Sequence, residues 1–300
     1  MITLSKINKT FNKGRVTALK DISFSIERDE LFGLIGPDGA GKTTLFRILT
    51  TLLLTDEGAA SVNGFDVVKD YKRIRSCVGY MPGKFSLYQD LTIEENLNFF
   101  ATVFGTTIKE NYDLIKDIYL QIEPFKDRRA GKLSGGMKQK LGLCCALIHR
   151  PTVLFLDEPT TGVDVVSRKE FWEMLKKLKG QGITILVSTP YMDEANLCDR
   201  IALIQKGQIL SIDTPAKIIQ SYPDPLYAIK SSNIFKSLQD SRSYPGIASC
   251  FAFGDSLHAT FNNSTDKGIV EYLHSKGDKD ARMDKITPGI EDCFIKLLKN

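Results

Sequence analysis

The chain has 300 residues, 42% of them hydrophobic and 25% charged, with a formal net charge of +4 at pH 7. That length holds a full-sized domain plus a smaller one, and the composition is that of an ordinary soluble globular chain, which excludes a fibrous or disordered one. The basic residues are scattered, so the charge gives no argument for a nucleic-acid partner, and no segment approaches the ~18 apolar residues of a membrane span.

In chain order, residues 2–4 and 22–26 alternate apolar and polar side chains, the period of half-buried strands. Residues 31–35 form an apolar strand that runs into a glycine-rich loop, and a helix is predicted from Lys42 to about Leu53. Residues 93–104 and 112–122 have helical spacing and read as a helical subdomain inserted ahead of a further helix over residues 137–149. Residues 153–156, 183–187 and 201–204 are short apolar runs between helical patterns, as buried parallel strands read. Tyr222-Pro223-Asp224-Pro225 marks a domain boundary, because two prolines interrupt regular structure. Beyond it, strands are predicted at 226–230 and 258–261 and helices at 266–275 and 290–298, a small α+β domain over 223–300.

The six cysteines, Cys77, Cys144, Cys145, Cys198, Cys250 and Cys293, form no CxxC pair and read as small buried residues of a reduced cytosolic protein. The start of the chain lacks a basic region followed by an apolar core. The triplets Asn262-Asn263-Ser264 and Asn263-Ser264-Thr265 therefore carry no meaning as glycosylation acceptors. The run Lys126-Asp127-Arg128-Arg129 reads as a solvated face.

Gly36, Pro37, Asp38, Gly39, Ala40, Gly41, Lys42 and Thr43, followed by Thr44, match GxxxxGK[ST] in the strand–loop–helix context that a phosphate loop requires. The glycines let backbone N–H groups point inward, and the helix that follows presents its positive end to phosphates. Lys42 is expected to reach the β- and γ-phosphates of a nucleotide and the Thr43 hydroxyl to ligate Mg²⁺. The strand over 153–156 ends in Asp157-Glu158, which delivers Asp157 to the magnesium through water and places Glu158 to act as general base on the attacking water. Ser134-Gly135-Gly136 opens the helix that precedes this strand, with glycines that permit close backbone approach and N–H groups to offer a γ-phosphate.

The order of these elements, GPDGAGKTT, then LSGGMKQK (residues 133–140), then VLFLDEPTTGVD (residues 153–164), resembles the ATP-binding-cassette family. The resemblance implies a P-loop NTPase α/β domain over residues 1–222, with an antiparallel β subdomain and an inserted helical subdomain at about 85–150. It also implies a dimer in which the LSGG of one copy faces the phosphate loop of the other, so dimerisation is part of the active site. Pro159 to Asp164 continue the family's D-loop, which makes Asp164 a nucleotide-site residue. Phe11 stands where the family carries an aromatic that stacks on adenine; the other reading of a lone Phe after a strand is core.

Two positions depart from the family pattern. Gly83, in Gly79-Tyr80-Met81-Pro82-Gly83-Lys84, replaces the Q-loop glutamine, and Pro190, in VSTPYMDEA, replaces the switch histidine. The histidines are His149, His258 and His274, so none replaces it locally. Proline has neither a side-chain donor nor a backbone N–H. Either the site hydrolyses ATP slowly, with Glu158 and the metal supplying the electrostatic work, or the chain is the degenerate half of an asymmetric pair.

Residues 86–92, 191–195 and 287–294 look most like the cassettes of ABC-2-type exporters. The resemblance then implies a separate integral-membrane permease docked beside Gly83 to Asp90, a second cassette as homodimer or heterodimer partner, ATP and Mg²⁺ as ligands, and a cytoplasmic location on the inner face of the cell membrane. Competing readings are a soluble cassette ATPase acting on ribosomes or DNA, and an ATP sensor without turnover. Neither a second cassette nor a long coiled-coil insertion is present in the sequence, which disfavours the soluble class.

Overall fold

The computed structural model describes residues 1–262 and 268–298. The chain divides into two compact units, Met1–Pro215 and Ala216–Asn300. The stretch Tyr222–Pro225 falls inside the second. The first unit runs β1 (Ile2–Phe11), β2 (Val16–Ile26), β3 (Leu31–Ile35), α1 (Lys42–Leu49), β4 (Glu57–Val62), β5 (Phe65–Asp66), α2 (Tyr71–Cys77), β6 (Val78–Met81), α3 (Ile93–Val103), α4 (Tyr112–Tyr119) and α5 (Gly135–Leu147). It continues with β7 (Val153–Asp157), α6 (Val165–Gly180), β8 (Thr184–Thr189), β9 (Arg200–Gln205) and β10 (Gln208–Asp213). Helix α7 (Pro215–Gln220) starts at the division, and β11 (Leu226–Lys230), α8 (Ile234–Arg242), β12 (Ile247–Phe253), β13 (Ser256–Phe261), α9 (Gly268–Ser275), β14 (Arg282–Ile286) and α10 (Ile290–Leu297) follow.

Two sheets build the first unit. One has the order β2-β1-β4-β5, with antiparallel pairs throughout. The alternation read at residues 22–26 is the burial pattern of β2, where Ile22, Phe24 and Ile26 face inward and Ser23 and Ser25 outward. The other sheet has the order β10-β9-β3-β8-β7-β6, parallel from β9 to β6. Its central strands β3, β7 and β8 are buried at every residue, which is why they read as unbroken apolar runs. A common core joins the two sheets and α1: Phe24 stacks on Phe32 at 5.4 Å, and Phe46 of α1 meets Phe155 of β7 edge-on at 6.1 Å.

Helix α1 is shorter than predicted. It ends at Leu49 because the Thr50 hydroxyl donates to the Phe46 carbonyl at 2.8 Å and Thr51 turns left-handed, with φ +64°. Helices α3, α4 and α5 form the inserted subdomain. Thr92 and Glu95 cap α3 reciprocally, each side chain accepting the other's backbone N–H. Helix α5 begins earlier than its apolar spacing suggests, at Gly135, because Ser134 caps it and accepts the Met137 N–H at 3.4 Å.

The second unit is a four-stranded antiparallel sheet, β12-β13-β11-β14, with α8 and α9 on one face over Ile229, Cys250, Leu257 and Ala259. On the other face His258 Nδ1 lies 2.7 Å from Asp292 Oδ1 of α10. Of the helix predicted at 266–275, residues 268–275 are helical; 266 and 267, like 263–265 of the two glycosylation triplets, lie outside the described residues. Among the described residues no helix is long and apolar enough to cross a membrane.

Candidate functional site

Parallel pairing sets the level of every loop that matters. Ile35 pairs with Thr189, Asp157 with Ser188 and Met81 with Leu156, so the chain leaves β3, β8, β7 and β6 along one edge of the sheet. That edge gathers the loop from Gly36, the Asp157-Glu158 pair, Pro190 and Gly83. The carboxyl edge of a parallel sheet is where α/β folds place ligands.

Gly36 N–H donates to the Thr189 carbonyl at 3.2 Å, which ties the start of the loop to β8. Gly41 has φ +109°, and a Cβ there would stand 2.5 Å from the Ala18 carbonyl oxygen, so only glycine fits. Lys42 is 3% exposed; its Nζ donates to the Gly36 carbonyl at 2.7 Å and the Pro37 carbonyl at 3.0 Å, and lies 3.0 Å from Glu158 Oε1. Asp38 and Gly39 are exposed at the loop tip, Ala40 is buried, and Thr43 and Thr44 are half-buried in the first turn of α1. The first N–H groups of a helix have no partner within it, so this turn offers donors to an anion.

Asp157 is buried and accepts the Ser188 hydroxyl at Oδ1, 2.7 Å away. Ser188 also accepts the Glu158 N–H at 3.0 Å, a bridge that sequence reasoning missed because it depends on cross-strand register. Glu158 itself has φ +50° and is partly exposed. Tyr80 of β6 has its phenol pushed up to about 12, by burial first and then by the Asp157 charge. Hydroxyl and carboxylate oxygens are the donor set that suits a hard divalent cation, so Thr43 and Asp157 fit magnesium chemically.

Phe11 ends β1 and is 38% exposed, with Lys9 Nζ 5.7 Å from its ring centre; it is not core. Ser134 and Gly135 are exposed, and Gly136 packs so closely on α6 that a Cβ would lie 2.9 Å from Ser167 Oγ. Asp164 caps α6 by accepting the Ser167 N–H at 3.0 Å, a bond that lowers its carboxyl pKa. The turn over residues 134–136 thus sits against α6. Gly83 is exposed beside the acidic pair: a Cβ there would lie 3.0 Å from the Asp157 carbonyl oxygen and 3.8 Å from Glu158 Cβ.

Between β6 and the helical subdomain lies a cleft of about 500 Å³, lined by Met81, Gly83, Phe85, Phe100, Phe104 and His149 among others. His149 stacks on Phe104 at 3.8 Å, and burial lowers its pKa.

Residues 19–161 match the family model described as ABC transporter. Over 300 residues the chain is 37% identical to the Nod factor export ATP-binding protein I of Rhizobium sp. strain N33, covering 99% of this chain and 96% of that one. The chain belongs to the ABC transporter ATP-binding family. This cassette is also 39% identical over 303 residues to the probable multidrug ABC transporter ATP-binding protein YbhF of Escherichia coli K12, which covers 99% of this chain but only 52% of YbhF. The chain thus spans about half the length of that relative. Among solved structures it is similar to the dimeric ABC transporter cassette MJ0796, with 25% identity, a TM-score of 0.65, and coverage of 71% of this chain and 98% of that one.

Proposed function

We propose that this cassette binds and hydrolyses Mg-ATP as the energy-supplying subunit of an ABC exporter. The observation that carries the reading is the convergence of the Lys42 loop and the Asp157-Glu158 pair on one sheet edge, with Lys42 and Glu158 within 3.0 Å. In this reading the N–H groups from Gly39 to Thr44 and the Lys42 ammonium hold the phosphates, and Phe11 stacks on the adenine. Thr43 and Asp157 would hold Mg²⁺, which when bound neutralises charge developing on the phosphates. Glu158 accepts a proton from the attacking water.

Ser134 and Gly135 are exposed and, with the half-buried Gly136, complete the site of a second cassette, with Asp164 at the same face. The relatives named for export and for multidrug transport support a membrane permease as partner, on whose cytoplasmic side the cassette works. The cleft beside Gly83 is where that permease docks. ATP closes the dimer and hydrolysis reopens it, a shift between two populations that the permease follows.

A second reading is favoured by Gly83 and Pro190: a cassette that binds ATP while an intact partner cassette turns it over. Affinity purification from detergent-solubilised membranes tests the assignment. Recovery of a polytopic membrane protein supports the exporter reading; recovery of ribosomes or DNA without one contradicts it.

A further inference from the structure

Beside the nucleotide edge lies a buried carboxylate that none of the roles above uses. Glu194, 2% exposed, sits in a 3₁₀ turn, Met192–Leu197, and its oxygens are taken by donors from three separate segments. Thr189 Oγ1 donates to Oε2 at 2.5 Å and Thr160 Oγ1 to the same oxygen at 3.1 Å. Arg168 Nε donates to Oε1 at 3.1 Å. Thr189 ends β8 immediately before Pro190, Thr160 stands two residues after Glu158, and Arg168 belongs to α6, whose cap is Asp164. The Arg168 guanidinium also covers the Tyr191 ring at 4.1 Å, and the Tyr191 N–H donates to Thr189 Oγ1 at 3.0 Å.

We propose that Glu194 is a positioning residue for ATP hydrolysis: it clamps the segment from Glu158 to Asp164 against the end of β8 and so fixes where the Glu158 carboxylate stands. This rests on the hydrolytic reading above. Glu158 holds a left-handed backbone that a non-glycine residue keeps only when its surroundings impose it. Upstream, the Glu158 N–H is held by Ser188 O and Oγ. Downstream, the first side-chain anchor is Thr160 on Glu194. With glycine at 83 and proline at 190, neither position contributes a polar side chain that would fix Glu158 from the front. A buried network of matched donors is stiff, and losing its hub takes the acceptor from two threonine hydroxyls and leaves Arg168 with the exposed Asp193 carboxylate, 3.5 Å away, as its ion-pair partner.

The test compares Glu194→Ala and Glu194→Gln with wild type in Mg-ATP turnover, fluorescent ATP-analogue binding, and amide hydrogen exchange. Glu194→Ala is expected to lower kcat by about 10- to 100-fold, the range seen when a partner of a catalytic ligand is removed. Its KM and nucleotide affinity should change by less than about threefold, because the phosphate loop is untouched. Glutamine, which keeps an oxygen for Arg168 and an amide for the threonine hydroxyls, should recover most of the rate. In the alanine variant the amides of Thr161, Val163 and Tyr191 should exchange faster while those of β3 and β7 stay protected. Wild-type kcat and exchange in Glu194→Ala would overturn the proposal, as would equal loss of protection in β3 and β7, the mark of general destabilisation. Should wild type itself show no turnover, the hydrolytic reading fails, and the exchange pattern alone decides whether Glu194 clamps the segment.

Discussion

Lys42 Nζ stands 3.0 Å from Glu158 Oε1, and the same ammonium donates to the Gly36 and Pro37 carbonyls. The main cation of the phosphate loop therefore contacts the proposed general base. Under the proposed function, a triphosphate would compete with Glu158 for that ammonium. Lys42→Ala is expected to weaken ATP binding by about 10- to 100-fold, the value of a charge-assisted hydrogen bond of roughly 1.5–3 kcal/mol. Glu158→Gln should bind ATP as tightly as wild type or more tightly, since it removes the competing charge. Equilibrium titration with a fluorescent ATP analogue measures both, and tighter binding by the Lys42 variant would contradict the assignment.

Pro190 and Gly83 deprive the site of two polar side chains. Pro190→His restores a donor at the end of β8, one residue beyond the Ile35–Thr189 pair. It is expected to raise kcat by about 10-fold or more, a single hydrogen bond to a charged group. Gly83→Gln should help less by itself, because its Cβ would press on the Asp157 carbonyl at 3.0 Å and shift it. Steady-state turnover of the two single variants and the double variant checks this. No change in Pro190→His would show that position 190 does not limit turnover.

The edge that carries Phe11 is anchored by Asp56. Its carboxyl is lowered to about 2 by the hydrogen bond from Lys9 at 2.5 Å, then by those from the Thr10 N–H and hydroxyl. A folded-state pKa below the ordinary 3.8 contributes stability that is complete above that pH and is lost as pH falls toward 2. Asp56→Asn should therefore be less stable than wild type at pH 7, with the difference vanishing between about pH 4 and pH 2. Denaturant melts across that range measure it; a constant difference would show that Asp56 acts through packing alone.

Thiol chemistry should single out one cysteine. Burial pushes Cys144, Cys145 and Cys198 far up, and Cys250 and Cys293 to about 11. Cys77 is only half-buried. Brief iodoacetamide treatment of the native protein at pH 8 should alkylate Cys77 alone, read by peptide mass spectrometry. Labelling of Cys144 or Cys145 would contradict the packing of α5.

Legibility in the sequence followed local pattern. The strand at 31–35, its loop and the acidic strand end were readable because motif, period and context fall within a few residues. Strand β4 was not, since EGAASV buries only Ala60 and Val62, nor β14, where RMDKI has no fully buried residue. The length of α1 was misread because Leu52 and Leu53 extend the apolar spacing while Thr50 and Thr51 end the helix. The bridging roles of Ser188 and Glu194 were not readable: their partners lie 31, 34, 26 and 5 residues away, and only the fold brings them together.

The most direct measurement is Mg-ATP hydrolysis by the purified chain beside Glu158→Gln. Measurable turnover is expected in wild type, and its loss, by about 100-fold or more, in a variant that still binds ATP, the scale of removing a general base. Equal rates in the two proteins would contradict the hydrolytic reading, and tight binding without turnover in wild type would assign the chemistry to a partner cassette.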